Sequence, residues 1–290
     1  MPTIGDDRPI QLKHKKYDTP FSMLMQDPQN QLEAYLALHP EARNKVSVED
    51  IRDTTIRQIF ADGPYNDLSF LVGDRQIVMV EAQSTWSENV VFRLVLYCAQ
   101  IYQNMIEQQG LDVYKTGSLP LPAPEFVIIF TGERANIPEQ LTLSDTVFKG
   151  MASSLEARAK VIATEGSGDI LAQYIGFCKV LKAQIAQHGH TPTAIDETVR
   201  ICQEKNYLHD FIDAHKHEVK TMLSTLFDQD KVWERYTNRI GQEKYDLGRV
   251  NGIVEVAKNF LNAGYSKEEV AKNTGLPMID VERLATGVPL

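Results

Sequence analysis

Cysteine is scarce in this chain: Cys98, Cys178 and Cys202 are the whole supply in 290 residues. Three thiols, odd in number and far apart, build neither a disulfide framework nor a zinc knuckle. Long apolar runs are missing too. No stretch approaches the roughly 20 apolar residues of a membrane span, so no membrane insertion is expected. The opening residues, Met1 to Arg8, lack the basic region and apolar core of a secretory signal, and a cytoplasmic protein is expected. Positive charge is in deficit, with 30 Lys and Arg against 39 Asp and Glu, a formal net charge of −9. That balance argues against binding nucleic acid over a broad surface, because phosphate neutralisation dominates such affinity. It leaves room for a local basic groove. Lys13, Lys15, Lys16, Arg75 and Arg93 are candidates for one, with ordinary solvated surface charge as the competing reading of each. There is no phosphate-cradling GxxxxGK loop, and spacing alone nominates no Ser-His-Asp or Cys-His nucleophile. The pairs His188/His190 and His215/His217 are two residues apart, which points them to different sides of a helix and argues against joint metal ligation.

What is present is a hairpin pattern. Asn66 to Val72 and Gln76 to Gln83 are rich in β-branched and aromatic residues, and Gly73-Asp74-Arg75 between them is turn chemistry. A three-residue loop pairs 72 with 76, 71 with 77, and so on until Asp67 faces Glu81. Opposite residues of an antiparallel pair share a face with Cβ atoms about 4.5 to 5.5 Å apart, a spacing at which one divalent cation bridges two carboxylates. Gln83 falls on the same face by the period of two. A loop one residue longer or shorter sends Asp67 to the other face. Two readings stand: a pair of solvated edge acids, or a metal-holding pair. Glu81 closes an apolar run, Ile77 to Val80, of the kind buried on both faces. Facing like charges also repel unless a cation or proton relieves them.

Around the hairpin, the pattern predicts an N-terminal helical stretch from about Thr19 through Leu38, stopped by His39-Pro40-Glu41. A short capped connector at Ser47 to Ile51 and a strand from about Ile56 to Phe60 are expected next. Thr85 with Glu88 three residues later reads as a capping box, which predicts a helix from there to about Glu107, with Arg93 and Tyr97 on one side of it. Phe126 to Phe130 reads as a buried central strand reached through a crossover helix. Together these indicate an α/β core. From Leu141 on, helices are expected at about Ala152 to Ala163, Ile170 to Gln187, Ala194 to Gln203 and Leu208 to Phe227, with no further strand of comparable quality. Beyond Asp228 a charged helix leads to a short hairpin capped by Ser266 with Glu269 and broken at Gly275, the outline of a helix-turn-helix. Plain packing is the competing reading of that hairpin.

With those blocks in view, the chain resembles the Rpn family of recombination-promoting nucleases, also described as transposases, within the PD-(D/E)XK phosphodiesterase superfamily. The resemblance rests on Lys16 to Phe21, Ala37 to Pro40, Tyr65 to Leu68, Glu81 to Thr85, Arg93-Leu94 to Tyr97, Phe130 to Gly132 and the closing Tyr265 to Leu284 segment, in that order. It implies a restriction-endonuclease-like mixed sheet flanked by helices over residues 10–135, a helical region over 136–228, and a C-terminal helix with a helix-turn-helix-like tail over 229–290.

The resemblance also implies hydrolysis of DNA phosphodiester bonds with Mg²⁺, for which Mn²⁺ can substitute. Asp67 and Glu81 take the metal-ligand positions, with the Ala82 carbonyl as a further oxygen. Asp18 matches the acid of the N-terminal motif and would hold a metal-bound water, while a helix N-cap is its equal alternative. Gln83 stands where the superfamily has lysine, as is usual in the Rpn family, and as an amide it orients water only by hydrogen bonding. Arg93 and Tyr97 match the family's helix motif as contacts to DNA phosphate, with helix packing as the alternative for Tyr97. One site cuts one strand, so double-strand cutting calls for a homodimer or sequential nicks. The rival function is a catalytically silent DNA- or protein-binding module that keeps the fold, and a nuclease acting on RNA is a third reading.

Overall fold

The computed structural model describes residues 20–55 and 67–286. The strand expected at Ile56 to Phe60 lies outside the described residues, as do Asp18, Lys13, Lys15 and Lys16. The chain divides into two compact units, the first ending at Asp228 and the second beginning at Gln229.

The first unit opens with α1 (Pro20–Leu24) and α2 (Pro28–Leu38) where one helix was expected. The break has a local cause. Pro28 drives the preceding residue out of the helical region, and Asp27 sits at ψ 121° with its side chain accepting the Gln29 N–H at 2.9 Å, a fresh N-cap. A 3₁₀ turn capped by Ser47 leads into β1 (Ile51–Asp53), too short to be seen in the sequence. Then come β2 (Leu68–Val72), β3 (Gln76–Gln83), α3 (Val90–Gln109), β4 (Ala123–Phe130), β5 (Gln140–Thr142), α4 (Leu143–Thr146) and β6 (Arg158–Ile162). Helices α5 (Ile170–His188), α6 (Pro192–Glu204), α7 (His209–Ala214) and α8 (Lys216–Asn262) follow.

The six strands form one mixed sheet in the order β1-β2-β3-β4-β6-β5. Strands β1, β2 and β3 are antiparallel neighbours, β3, β4 and β6 are parallel, and β5 returns antiparallel to β6. The hairpin register is the expected one: Val72 pairs with Gln76 and Leu68 with Val80. Gly73 makes it possible by taking φ +57°, a conformation costly for other residues.

Two expectations are corrected. Residues read as a helix from Ala152 to Ala163 instead contribute β6, so the sheet runs past residue 135 into the stretch read as helical. In Arg158-Ala159-Lys160-Val161, exposed and buried positions alternate, and pairing with β4 overrides the helix propensity of Arg, Ala and Lys. Helix α3 starts at Val90 rather than at Thr85, and Asn89 is its N-cap. The stretch between is held by tertiary contacts: the Trp86 ring meets Phe130 edge-on at 5.1 Å and lies 4.2 Å beneath the Arg134 guanidinium.

Alternation along the central strands feeds two cores, one on each face. Phe70, Val78, Val80, Val127 and Ile129 pack against α1, α2, α5 and α6. Ile77, Met79, Ile128 and Phe130 pack on the other side against Val90, Val91, Leu94 and Cys98 of α3. Each fully buried side chain of this size contributes roughly 1.5 to 3 kcal/mol. At the amino ends of β3 and β4 a polar cluster closes the sheet: Gln76 Nε2 donates to Glu125 at 2.6 Å, His39 Nε2 lies 2.7 Å from the same carboxylate, and Tyr35 donates to Gln76 at 3.1 Å. All three cysteines are free thiols. Among the described residues no helix is long and apolar enough to cross a membrane.

The second unit holds the remainder of α8 with α9 (Lys267–Thr274) and α10 (Met278–Ala285), around Ala257, Val270, Val281 and Leu284. Its hairpin is the expected one. Ser266 and Glu269 form a reciprocal capping box, and Gly275 ends α9 at φ +72°.

Candidate active site

Asp67 and Glu81 lie side by side where the hairpin register puts them. Strand β2 is antiparallel to β3, so Asp67, one residue before β2, lies at the carboxyl end of β3 beside Glu81. The Asp67 N–H donates to Glu81 Oε1 at 3.3 Å, and the Ala82 N–H donates to Asp67 Oδ2 at 3.0 Å. Both acids are thereby fixed to the backbone rather than left to wander in solvent. Glu81 is buried at 5 % exposure, because it alternates with Ile77 and Met79 on the face covered by α3. A solvated edge position is thereby excluded for Glu81, whereas Asp67 is half-buried.

A buried carboxylate needs compensation. Arg93, in the first turn of α3, supplies it, with Nη2 3.6 Å from Glu81 Oε2. Its Nε is buried and has no hydrogen-bond partner, an unspent donor beside the acids. Tyr97, one turn further along α3, is 9 % exposed and packs in the α3-side core. Gln83 is the last residue of β3, and its carbonyl accepts the Thr131 N–H at 2.9 Å and the Thr131 hydroxyl at 3.3 Å. Arg75 sits in the hairpin turn, at the opposite end of β3 from the carboxylates, and so is no neighbour of the site.

A cavity of about 640 Å³ opens beside Asp67 on the other face of the sheet. Asp67, Ser84, Thr85 and Thr131 give it a polar wall; α5 supplies Tyr174, Cys178 and Lys182 opposite. Tyr174, Cys178 and Lys182 are four residues apart and share one helix face. Burial is the first cause that raises the Tyr174 phenol well above its ordinary range, and the charge of nearby Asp67 adds to it. Burial likewise pushes the Cys178 thiol up to about 12, against a hydrogen bond with Tyr174 that lowers it. Both groups are neutral at physiological pH, so the wall facing Asp67 is uncharged except at Lys182. The Gly132 position is tight: a Cβ there would lie 2.1 Å from the Ser84 carbonyl and 2.7 Å from the Phe130 ring. Sequence patterning missed all three α5 residues. Their four-residue spacing is visible, but nothing local connects it to a hairpin a hundred positions earlier.

The donor set suits a hard cation. Asp67 and Glu81 are neighbouring carboxylates, and in an extended strand the N–H and C=O of one residue project to the same edge, so the Ala82 carbonyl faces the edge on which its N–H meets Asp67. Oxygen donors of this kind, completed by water, are what Mg²⁺ and Mn²⁺ prefer. Among the described residues no cluster of three or more His, Cys, Asp or Glu side chains forms a metal cage; two acids and one carbonyl would leave the remaining positions around an ion to water. Comparison with known protein families, with curated proteins and with solved structures finds no match.

Proposed function

We propose that this chain is a metal-dependent endonuclease that hydrolyses DNA phosphodiester bonds, of the recombination-promoting, transposase-related type, on a restriction-endonuclease-like core. The observation that carries the reading is the junction of a half-buried Asp67 and a buried Glu81 at the carboxyl end of β3, each tied to the backbone. The carboxyl ends of parallel strands are where open α/β sheets hold ligands. The mixed sheet with helices on both faces and the ordered sequence blocks described above point the same way.

In this reading Asp67, Glu81 and the Ala82 carbonyl hold Mg²⁺, or Mn²⁺ in its place. When bound, such an ion would supply Lewis acidity for phosphodiester hydrolysis. The chain's own residues do the positioning. Gln83 orients the attacking water through its amide. Arg93 offers its guanidinium to a phosphate oxygen while continuing to balance Glu81. The backbone hydrogen bonds to Asp67 and Glu81 fix the carboxylates before substrate arrives, which lowers the reorganisation needed at the reacting centre. DNA is the macromolecular partner, and a homodimer is the arrangement that lets two such sites cut both strands.

A second reading has its own observation. Arg93 lies 3.6 Å from Glu81 and already offsets its charge without any metal, as a silent DNA- or protein-binding module would require. Plasmid cleavage with Mg²⁺, Mn²⁺, Ca²⁺ or EDTA separates the two, comparing the parent with Asp67→Ala and Glu81→Ala. Metal-dependent nicking lost in both variants supports the nuclease. An inert parent that still binds DNA after Glu81→Ala moves the silent module to first place, and parallel digestion of RNA tests the remaining substrate.

A further inference from the structure

The cavity beside Asp67 has one cation in its described lining, Lys182, and that cation is engaged elsewhere. Its Nζ donates to Glu133 Oε1 at 2.9 Å. Glu133 immediately follows Gly132, which lines the cavity after β4, so the pair spans from α5 to the β4 end of the sheet at the cavity's edge. Both partners stand in solvent, with side chains 59 % and 84 % exposed. An exposed pair of this kind is worth little to the fold, about 0.2 to 1 kcal/mol. One turn earlier on α5, Lys179 lies 3.9 Å from Glu165, again a loose pair. Thus α5 carries two lysines whose partners are exposed carboxylates that a stronger anion can displace. Phosphate is such an anion.

We propose that Lys182 is a phosphate-binding residue of this site, held by Glu133 in the free protein and transferred to a backbone phosphate of the bound nucleic-acid strand. The inference rests on the nuclease reading above and adds to it the cation that Gln83 does not provide at the end of β3. It also locates positive charge for an acidic chain: not a broad basic face but the α5 wall opposite Asp67. Glu133 acts as an internal competitor. It holds Lys182 extended over the cavity edge, and it lowers affinity for any anion by the worth of the ion pair that must be broken first.

The two members of the pair therefore have opposite effects on binding, which a purely structural ion pair does not allow. The test is fluorescence anisotropy of a labelled 20-mer, duplex and single-stranded, in Ca²⁺ at 50 to 200 mM NaCl. The proteins are the parent, Lys182→Ala, Lys182→Arg, Glu133→Gln and Lys220→Ala. Lys220 pairs with Asp196 away from the cavity and controls for the loss of one positive charge. Lys182→Ala is expected to weaken binding several-fold and to reduce the slope of log K against log salt by about 0.7 to 0.9, the signature of one lost phosphate contact. Lys182→Arg retains most of the affinity. Glu133→Gln is expected to tighten binding by up to about fivefold, the equivalent of one exposed ion pair. Lys220→Ala leaves the slope unchanged. Thermal melts verify that each variant is folded. A parent that binds with the Lys182 and Glu133 variants moving in the same direction, or with Lys182→Ala no different from Lys220→Ala, overturns this inference alone. A parent that binds no nucleic acid under any metal overturns the nuclease reading and this inference together.

Discussion

Replacing Arg93 by methionine keeps most of the side chain's apolar stem on α3 and removes the charge opposite Glu81. At 3.6 Å and an effective dielectric of about 20, the direct attraction is on the order of 4 to 5 kcal/mol before desolvation. Arg93 is 40 % exposed, so solvent screening leaves a net loss of about 1 to 2 kcal/mol, below the 3 to 5 typical of a fully buried pair losing one partner. The distinctive result is in the rescue. On the proposed reading a divalent cation held by Asp67 and Glu81 would replace the lost compensation, and at ten times its Kd a native-state ligand adds roughly 1.4 kcal/mol. Urea denaturation of Arg93→Met should therefore recover with Mg²⁺ or Mn²⁺ while Arg93→Met/Glu81→Gln does not. The Arg93 and Glu81 substitutions should also be non-additive by at least about 0.5 kcal/mol in a double-mutant cycle. Strictly additive effects, or equal metal response in both backgrounds, would refute the argument that these two residues and a cation share one charge balance.

Other outcomes follow from the same geometry. Gly132→Ala drives a methyl into the Ser84 carbonyl and the Phe130 ring, so a loss of about 1 to 3 kcal/mol is expected by urea denaturation. Burial holds the Cys202 thiol neutral up to about 12, against an ordinary value of 9.0. Its contribution to stability is complete below pH 9 and falls as pH rises toward 12, because only the unfolded chain releases the proton in that window. Urea midpoints between pH 8 and 10.5 should decline in the parent, and Cys202→Ala should remove up to about 1.4 kcal/mol per pH unit of that slope. Ser266→Ala deletes the cap of α9 and should cost about 1 kcal/mol locally, read as faster amide exchange in Lys267–Thr274 with exchange of the hairpin strands unaltered.

The hairpin was legible because every cue to it is local. Gly73-Asp74-Arg75 sets the turn, alternation sets the register that starts at Leu68 and Val80, and Asp67 then falls beside Glu81. What escaped the sequence depended on distant partners. The capping box at Thr85 and Glu88 is a genuine helix signal, but the Trp86 ring is claimed by Phe130 and Arg134, and the helix waits until Val90. Strand β6 is five residues long and follows a stretch of good helix formers, so only its pairing with β4 reveals it. The sequence singled out Arg93 on the helix after the hairpin, whereas its role in balancing Glu81 was not legible, since that depends on how far α3 leans over β3. Tyr174, Cys178 and Lys182 belong to a helix that joins the site only through tertiary packing.

Strands β3, β4 and β6 run parallel, so all three finish at the same end of the sheet. Two of the segments that leave them carry Ser84, Thr85, Thr131 and Gly132 to the cavity, and the third leads into the helix that carries Lys182. The ladder hydrogen bonds do not depend on how long those segments are, and doubling a loop's length costs only about 0.6 kcal/mol in closure entropy. The fold thus separates what can drift from what cannot. The three exits can change in length without disturbing the ladder, while the hairpin turn at the far end keeps Asp67 and Glu81 in register.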